Sequence, residues 1–422
     1  MYAISYRNFL FFCVTFSYLI SAQAQSPLSL RSALRQAKTN NPFLKTAFFN
    51  VGIAETSIIT AKLRPNPIFN NQTLQSINSQ NHSPNLDFFS PFNRQVWYQL
   101  TKPIRLPNQV KYKTELAQQN VVLEQKNYAD LERSLSLDVA NQWLDTWFVQ
   151  IKLDLYVQAQ KNIDSLVKIN ELRLKNLVIT QTDLVRTKLI AEQYNLQIRS
   201  IRQSSQNELK NLRLLLGTND SIAIDLKDEV EPLSAKGLSI DSLVLVGQSN
   251  RTDALVAKSL IDVSKTNINY QKAMALPMPE LGIIYNPQNT IPYVGFFATI
   301  QLPIFSKNQG EIARSQIETS QAEQGLGALQ QRIKTEIHVA YKSYQTQREN
   351  LVKYESILSQ SESVLNSVRY AYLKGGTTII DFLEAQRTWF DTRQIYFDAL
   401  LSYRKSYIQL LYSSGVITQL YE

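Results

Sequence analysis

The chain has 422 residues, with 44 Lys and Arg against 35 Asp and Glu, and its formal charge of +9 is spread along its length rather than gathered in blocks. One cysteine and two histidines exclude a disulfide framework and offer no Cys/His set at metal-ligand spacing. Beyond the first two dozen residues no apolar stretch is long enough for a transmembrane helix, a limit that says nothing of a β-barrel, whose strands alternate.

Arg7, the apolar run Phe9 to Ile20 and then Ala22-Gln23-Ala24 predict a cleaved export leader over residues 1–24. Cys13 leaves with it, so the mature chain has no thiol for a lipid anchor. Export also argues against nucleic acid as a partner. The basic charge reads as solvated helix faces, with a contribution to binding an anionic membrane surface.

The rest of the chain is written twice. Leu28-Ser29 recurs as Leu238-Ser239, an offset of 210 (238 − 28). Pro103-Ile104 and Asn108-Gln109 recur as Pro303-Ile304 and Asn308-Gln309, an offset of 200 (303 − 103). Asp183 and Gly217 recur as Asp381 and Gly415, an offset of 198 (381 − 183). Kept order with slowly drifting offset is what two structural repeats with different loop lengths produce. The boundaries fall at 25–240 and 241–422.

In the first repeat a helix comes first, then a strand pair over 66–77 and 95–104. Val96, Tyr98 and Leu100 alternate with Gln95, Trp97 and Gln99, the period of a strand with one apolar face. Arg64-Pro65-Asn66-Pro67 stops the incoming helix, because proline lacks the N–H and biases its predecessor to extended geometry. Long helices follow over 108–176 and 181–216, and then a linker over 218–240.

The second repeat has the same plan: a helix, strands over 279–286 and 292–303, helices over 309–374 and 378–413, and a C-terminal tail. From Ile333 to Tyr372, twelve positions step by four and three in turn, and ten of them are apolar. A period of 3.5 held this long describes a coiled-coil seam. Subtracting 198 gives a weaker seam from Leu135 through Val139, Ile163 and Asn170 to Leu174. Helices of this length reach roughly 100 Å. The strands are long enough to cross a bilayer when tilted, and aromatic residues gather on them. Four strands cannot close a barrel, so further copies of the chain must complete the edges.

This arrangement resembles the TolC-like outer-membrane efflux proteins. The opening stretch Leu28 to Pro42, the Pro-framed strand pairs and the duplicated halves carry the resemblance, and Leu302-Pro-Ile-Phe-Ser-Lys-Asn-Gln-Gly310 is similar to the CzcC-like heavy-metal branch. It implies a mainly α fold with a small transmembrane β part. Long antiparallel coiled-coil helices would form an α-barrel, and four strands per chain would contribute to a trimeric twelve-stranded β-barrel, with the linker in an equatorial belt. It further implies a passive, non-enzymatic exit duct without cofactors, set in the outer membrane and extending into the periplasm. Its partners would be two further copies of the chain, outer-membrane lipid, a periplasmic adaptor (membrane fusion) protein, and an inner-membrane RND or ABC transporter. The cargo would be small molecules or metal cations. Drugs or secreted polypeptide through a type I system are alternatives on the same fold, and a periplasmic coiled-coil adaptor is one outside it.

The two helix-to-helix turns match the family's periplasmic tip. At the first, Arg173 stands ten residues before Asp183 as in the family, while Leu177 replaces the usual Gly and Val178 follows it. At the second, Tyr372, Gly375, Gly376, Asp381 and Glu384 match, and Thr377 replaces a basic residue that some members carry. Asp381 and Glu384 share a helix face. In a closed trimer they would form stacked acidic rings favouring cations, although the same acids also suit a solvated helix start. The resemblance thus implies a periplasmic gate at Asp381, Glu384, Tyr372 and Asp183. It implies adaptor-docking tips at Arg173, Leu177, Val178, Gly375 and Gly376.

Overall fold

A computed structural model describes residues 27–77, 90–228, 230, 239–287 and 291–421. The expected leader, His82 with most of the first strand connection, and part of the 218–240 linker lie outside the described residues.

The helices begin where local capping dictates. Ser29 accepts from the Ser32 N–H to start α1 (Leu30–Asn40), and Ser239 accepts from the Ser242 N–H to start α5 (Ile240–Asn250). Asn41 caps α2 (Pro42–Lys62), whose first residue is a proline with its torsion already set for a helix. Strands β1 (Ile68–Gln75) and β2 (Arg94–Pro103) follow, then α3 (Pro107–Lys175) and α4 (Gln181–Leu216). After α5 the same order recurs: α6 (Thr252–Met274), β3 (Glu280–Asn286), β4 (Tyr293–Thr299), α7 (Gln309–Lys374) and α8 (Ile379–Ser413). No helix among the described residues is long and apolar enough to cross a membrane.

The four strands form one antiparallel sheet in the order β1-β2-β3-β4. Its register aligns Tyr98, Tyr285 and Val294 in one row and Leu100, Ile283 and Phe296 in the next, so one face is apolar in these rows across β2, β3 and β4, with Asn71 and Phe69 of β1 beside them. Tyr98 stacks on Phe69 and on Tyr285, with ring centroids 6.2 and 6.4 Å apart. The other face carries Asn70, Gln72, Gln99 and Thr101 beside Gly282. β4 ends at Thr299, short of the 303 expected from alternation. Thr299 pairs with Glu280, and beyond it the partner chain is Pro277-Met278-Pro279. The Pro279 carbonyl is already taken by the Ile104 N–H, and proline has no N–H of its own to extend the ladder.

Below the sheet the helices make two tiers. In the tier beside the sheet the neighbours run α2-α3-α6-α7, and in the far tier they run α4-α3-α8-α7. α3 and α7 pass through both. The seam explains the far tier: every one of the twelve stepped positions from Ile333 to Tyr372 is buried or half-buried. The largest core sits where the tiers meet, around Trp143, Leu144, Leu212, Leu216, Ile337 and Ile408. The Trp143 and Trp147 indoles donate to the Leu28 and Leu226 carbonyls, fastening the start of the chain and the linker to α3.

The outer helices of each tier remain unfinished. On α2, Phe49 and Ile53 are exposed; on α4, Leu189 and Leu196; on α7, Val339, Val352 and Val364. In the sheet, β1 and β4 each lack a neighbour on one side among the described residues.

Candidate functional site

The far end of the helices holds the expected site residues, and both turns there are built alike. At the end of α3 the Val178 N–H donates to the Arg173 carbonyl (2.8 Å), and the Leu177 N–H donates to that of Leu174. At the end of α7 the Gly376 N–H donates to the Ala371 carbonyl (2.9 Å), and the Gly375 N–H donates to that of Tyr372. These are paired Schellman closures, which require a left-handed residue. Gly375 supplies it at φ 79°, while Leu177 occupies it at φ 60°, with its side chain 91% exposed. A non-glycine residue there costs roughly 1–2 kcal/mol.

Each following helix opens with a capping box. Thr180 and Thr378 accept from the N–H groups of Asp183 and Asp381, and each aspartate accepts in return from its threonine's N–H and hydroxyl. Asp381 also accepts from the Thr377 hydroxyl at 2.7 Å. The residue standing where some relatives carry a cation therefore serves the cap. The Thr180 hydrogen bonds hold Asp183, and the Thr378 and Thr377 hydrogen bonds hold Asp381, below the ordinary carboxylate value. Both stay charged to more acidic pH than a free side chain. Glu384 lies exposed one turn on.

Tyr372 is only 3% exposed and ties the two helix pairs together. Its hydroxyl donates to Asn170 Oδ1 (2.9 Å), and Asn170 Nδ2 donates to Thr187 Oγ1 (3.0 Å). Thr187 donates in turn to the Asp183 carbonyl. The Tyr372 ring stacks on Phe382 at 5.2 Å, and the Arg173 guanidinium lies 4.3 Å from its centroid and donates to its carbonyl. Arg173 and Tyr372 thus come together, while Asp183 and Asp381 each serve their own helix. Asn170 and Thr187, both fully buried, were not among the expected residues. Asn170 is visible in the sequence as a polar interruption of the seam, but nothing in the spacing pairs it with Thr187.

Among the described residues no group of three His, Cys, Asp or Glu is placed to hold a metal ion. His338 contacts the carbonyl one turn back, at Lys334.

Residues 248–416 match the family described as outer membrane efflux protein. No curated protein matches the chain. Among solved structures, CusC, whose study concerns folding and transmembrane channel formation, is similar at 19% identity and TM-score 0.75, covering 92% of both chains. The outer membrane protein VceC of Vibrio cholerae is similar at 15% identity and TM-score 0.69, covering 92% of this chain and 96% of that one. The Campylobacter jejuni CmeC outer membrane channel is similar at 15% identity and TM-score 0.72, covering 92% and 85%.

The fold is that of the outer-membrane channels, a helical barrel wall joined to a β part. The second half, over residues 248–416, carries the match to the outer membrane efflux protein family, and the whole described chain shares the fold of these TolC-like channels.

Proposed function

We propose that the chain is the passive exit duct of a tripartite pump, carrying small molecules or metal cations from the periplasm across the outer membrane. Three copies close the wall, and the working partners are a periplasmic adaptor and an inner-membrane transporter of the RND or ABC type. One observation carries this reading: in every tier the chain is a four-element layer with two unfinished edges. Backbone groups on β1 and β4 have no water to turn to in lipid, and exposed apolar residues on α2, α4 and α7 have no cover. A second and third copy supply both. The repeats 25–240 and 241–422 then each give half of one protomer's wall, which evens the curvature around the tube.

In this reading the tips are the movable end. Tyr372 latches the two helix pairs of one chain, and Asp381, Glu384 and Asp183 set the charge at the constriction. Because threonine hydroxyls keep Asp381 ionised, the ring stays anionic and prefers cations. Leu177, Val178, Gly375 and Gly376 form the exposed corners offered to the adaptor, with the half-buried Arg173 behind them. The test is a planar-bilayer recording of the mature protein, with its mass measured in detergent. A trimer giving small, cation-preferring currents is expected, and Asp381→Ala with Glu384→Ala should raise conductance and weaken the preference. A monomer that passes no ions would end the duct reading; an unchanged double variant would remove the gate assignment alone.

A further inference from the structure

Where the sheet meets the helices, cations gather without carboxylate partners among the described residues. Lys62 and Arg64 leave α2, Lys102 and Arg105 leave β2, and Lys272 and Lys307 stand at the same junction in the second half. The junction is one place in space: Arg105 donates to the Leu63 carbonyl, Gln109 to the Ala273 and Leu276 carbonyls, and Asn308 to that of Gln271. Deeper in the same tier basic residues are paired, Lys265 with Glu323 and Arg314 with Glu318. None of the six junction cations forms an ion pair with a described carboxylate. Partial burial and then the Arg105 charge push the neighbouring Lys113 amine below its ordinary value.

The strand alternation says where part of this charge points. Lys102 shares its face with Leu100 and Tyr98, the apolar face of the sheet, and pairs with the exposed Leu281. Glu280 pairs with Pro103 and so lies on the opposite face. Cations directly beyond an apolar band, on its own side, meet the headgroup layer of a bilayer.

We propose that this collar binds the phosphates of anionic glycerophospholipids in the periplasmic leaflet of the outer membrane, setting how deep the sheet sits. The inference rests on the duct reading for the direction of the chain. The helices lie on the periplasmic side, so the collar faces that leaflet and not the outer one.

The experiment reconstitutes the mature protein in vesicles of phosphatidylethanolamine with a minor share of phosphatidylglycerol, re-extracts it gently, and quantifies the co-purifying lipids. Phosphatidylglycerol should be enriched over its bulk share and lost at high salt. The variant Lys62→Gln, Arg64→Gln, Lys102→Gln, Arg105→Gln should lose that enrichment, returning the ratio to near the bulk share, while still inserting and conducting. Equal lipid ratios in wild type and bulk would overturn the proposal. So would a collar variant that keeps its lipid but changes ion selectivity, since the cations would then line the conduit. A wild-type protein that enters no vesicle would overturn the duct reading and this inference together.

Discussion

The two joints between the tiers occupy equivalent places and are made of different chemistry. In the first half, Asn41 is fully buried; its amide donates to the Leu215 carbonyl at the end of α4 (2.7 Å) and its oxygen accepts from the Leu44 N–H. In the second half the same place is held by Arg251, 2% exposed, which donates to the Ser413 carbonyl at the end of α8 (3.1 Å). Its other donors reach both Asp253 oxygens and Glu336. A second buried arginine, Arg133, binds Asp130, Thr252 and the Tyr412 carbonyl and stacks on the Tyr412 ring at 4.2 Å. Burial alone would raise the Asp253 carboxyl, but the hydrogen bonds and charge of Arg251 outweigh it and hold it low, and Arg133 adds to this. One joint is a neutral amide serving two backbone groups. The other is an ionic knot joining α3, α6, α7 and α8.

The difference is useful because the two kinds of joint fail differently. Asp253→Ala leaves Arg251 buried without its two-oxygen partner and should cost about 3–5 kcal/mol, read from the urea midpoint of the detergent-solubilised protein. Asn41→Ala removes a helix cap and one carbonyl's donor and should cost about 1–2 kcal/mol in the same assay. Equal losses would show that charge adds nothing to the second joint. The tips repeat the comparison on a smaller scale, with Leu177 and Gly375 in one backbone conformation. Leu177→Gly should relieve about 1 kcal/mol of strain, seen as a slightly raised midpoint. A lowered midpoint would mean that the exposed leucine is covered in the assembly.

Much of the wall was legible before any coordinates. The seam could be read because a 3.5-residue period over many turns has one meaning, and the strand faces because alternation survives within each strand. The end of β4 was not, since its limit is set by Pro279, which lies just before β3. The Tyr372 latch was half legible: Asn170 interrupts the seam, but its partners are joined to it only by folding. The Arg251 joint hid in plain view. The offset that aligns the repeats, 210 (251 − 41), places it opposite Asn41, yet a lone arginine before a helix carries no local sign that it will be buried.

The unbroken length of α3 has a mechanical meaning. From Arg133 at the ionic knot to Lys175 at the tip the helix runs without interruption, a lever arm of about 60 Å at its rise per residue. Each degree of tilt allowed at the fulcrum becomes about an ångström of travel at the free end. On the duct reading proposed above, the opening at the tips would then depend as much on the stiffness of a few buried salt contacts in mid-shaft as on the side chains at the tips themselves.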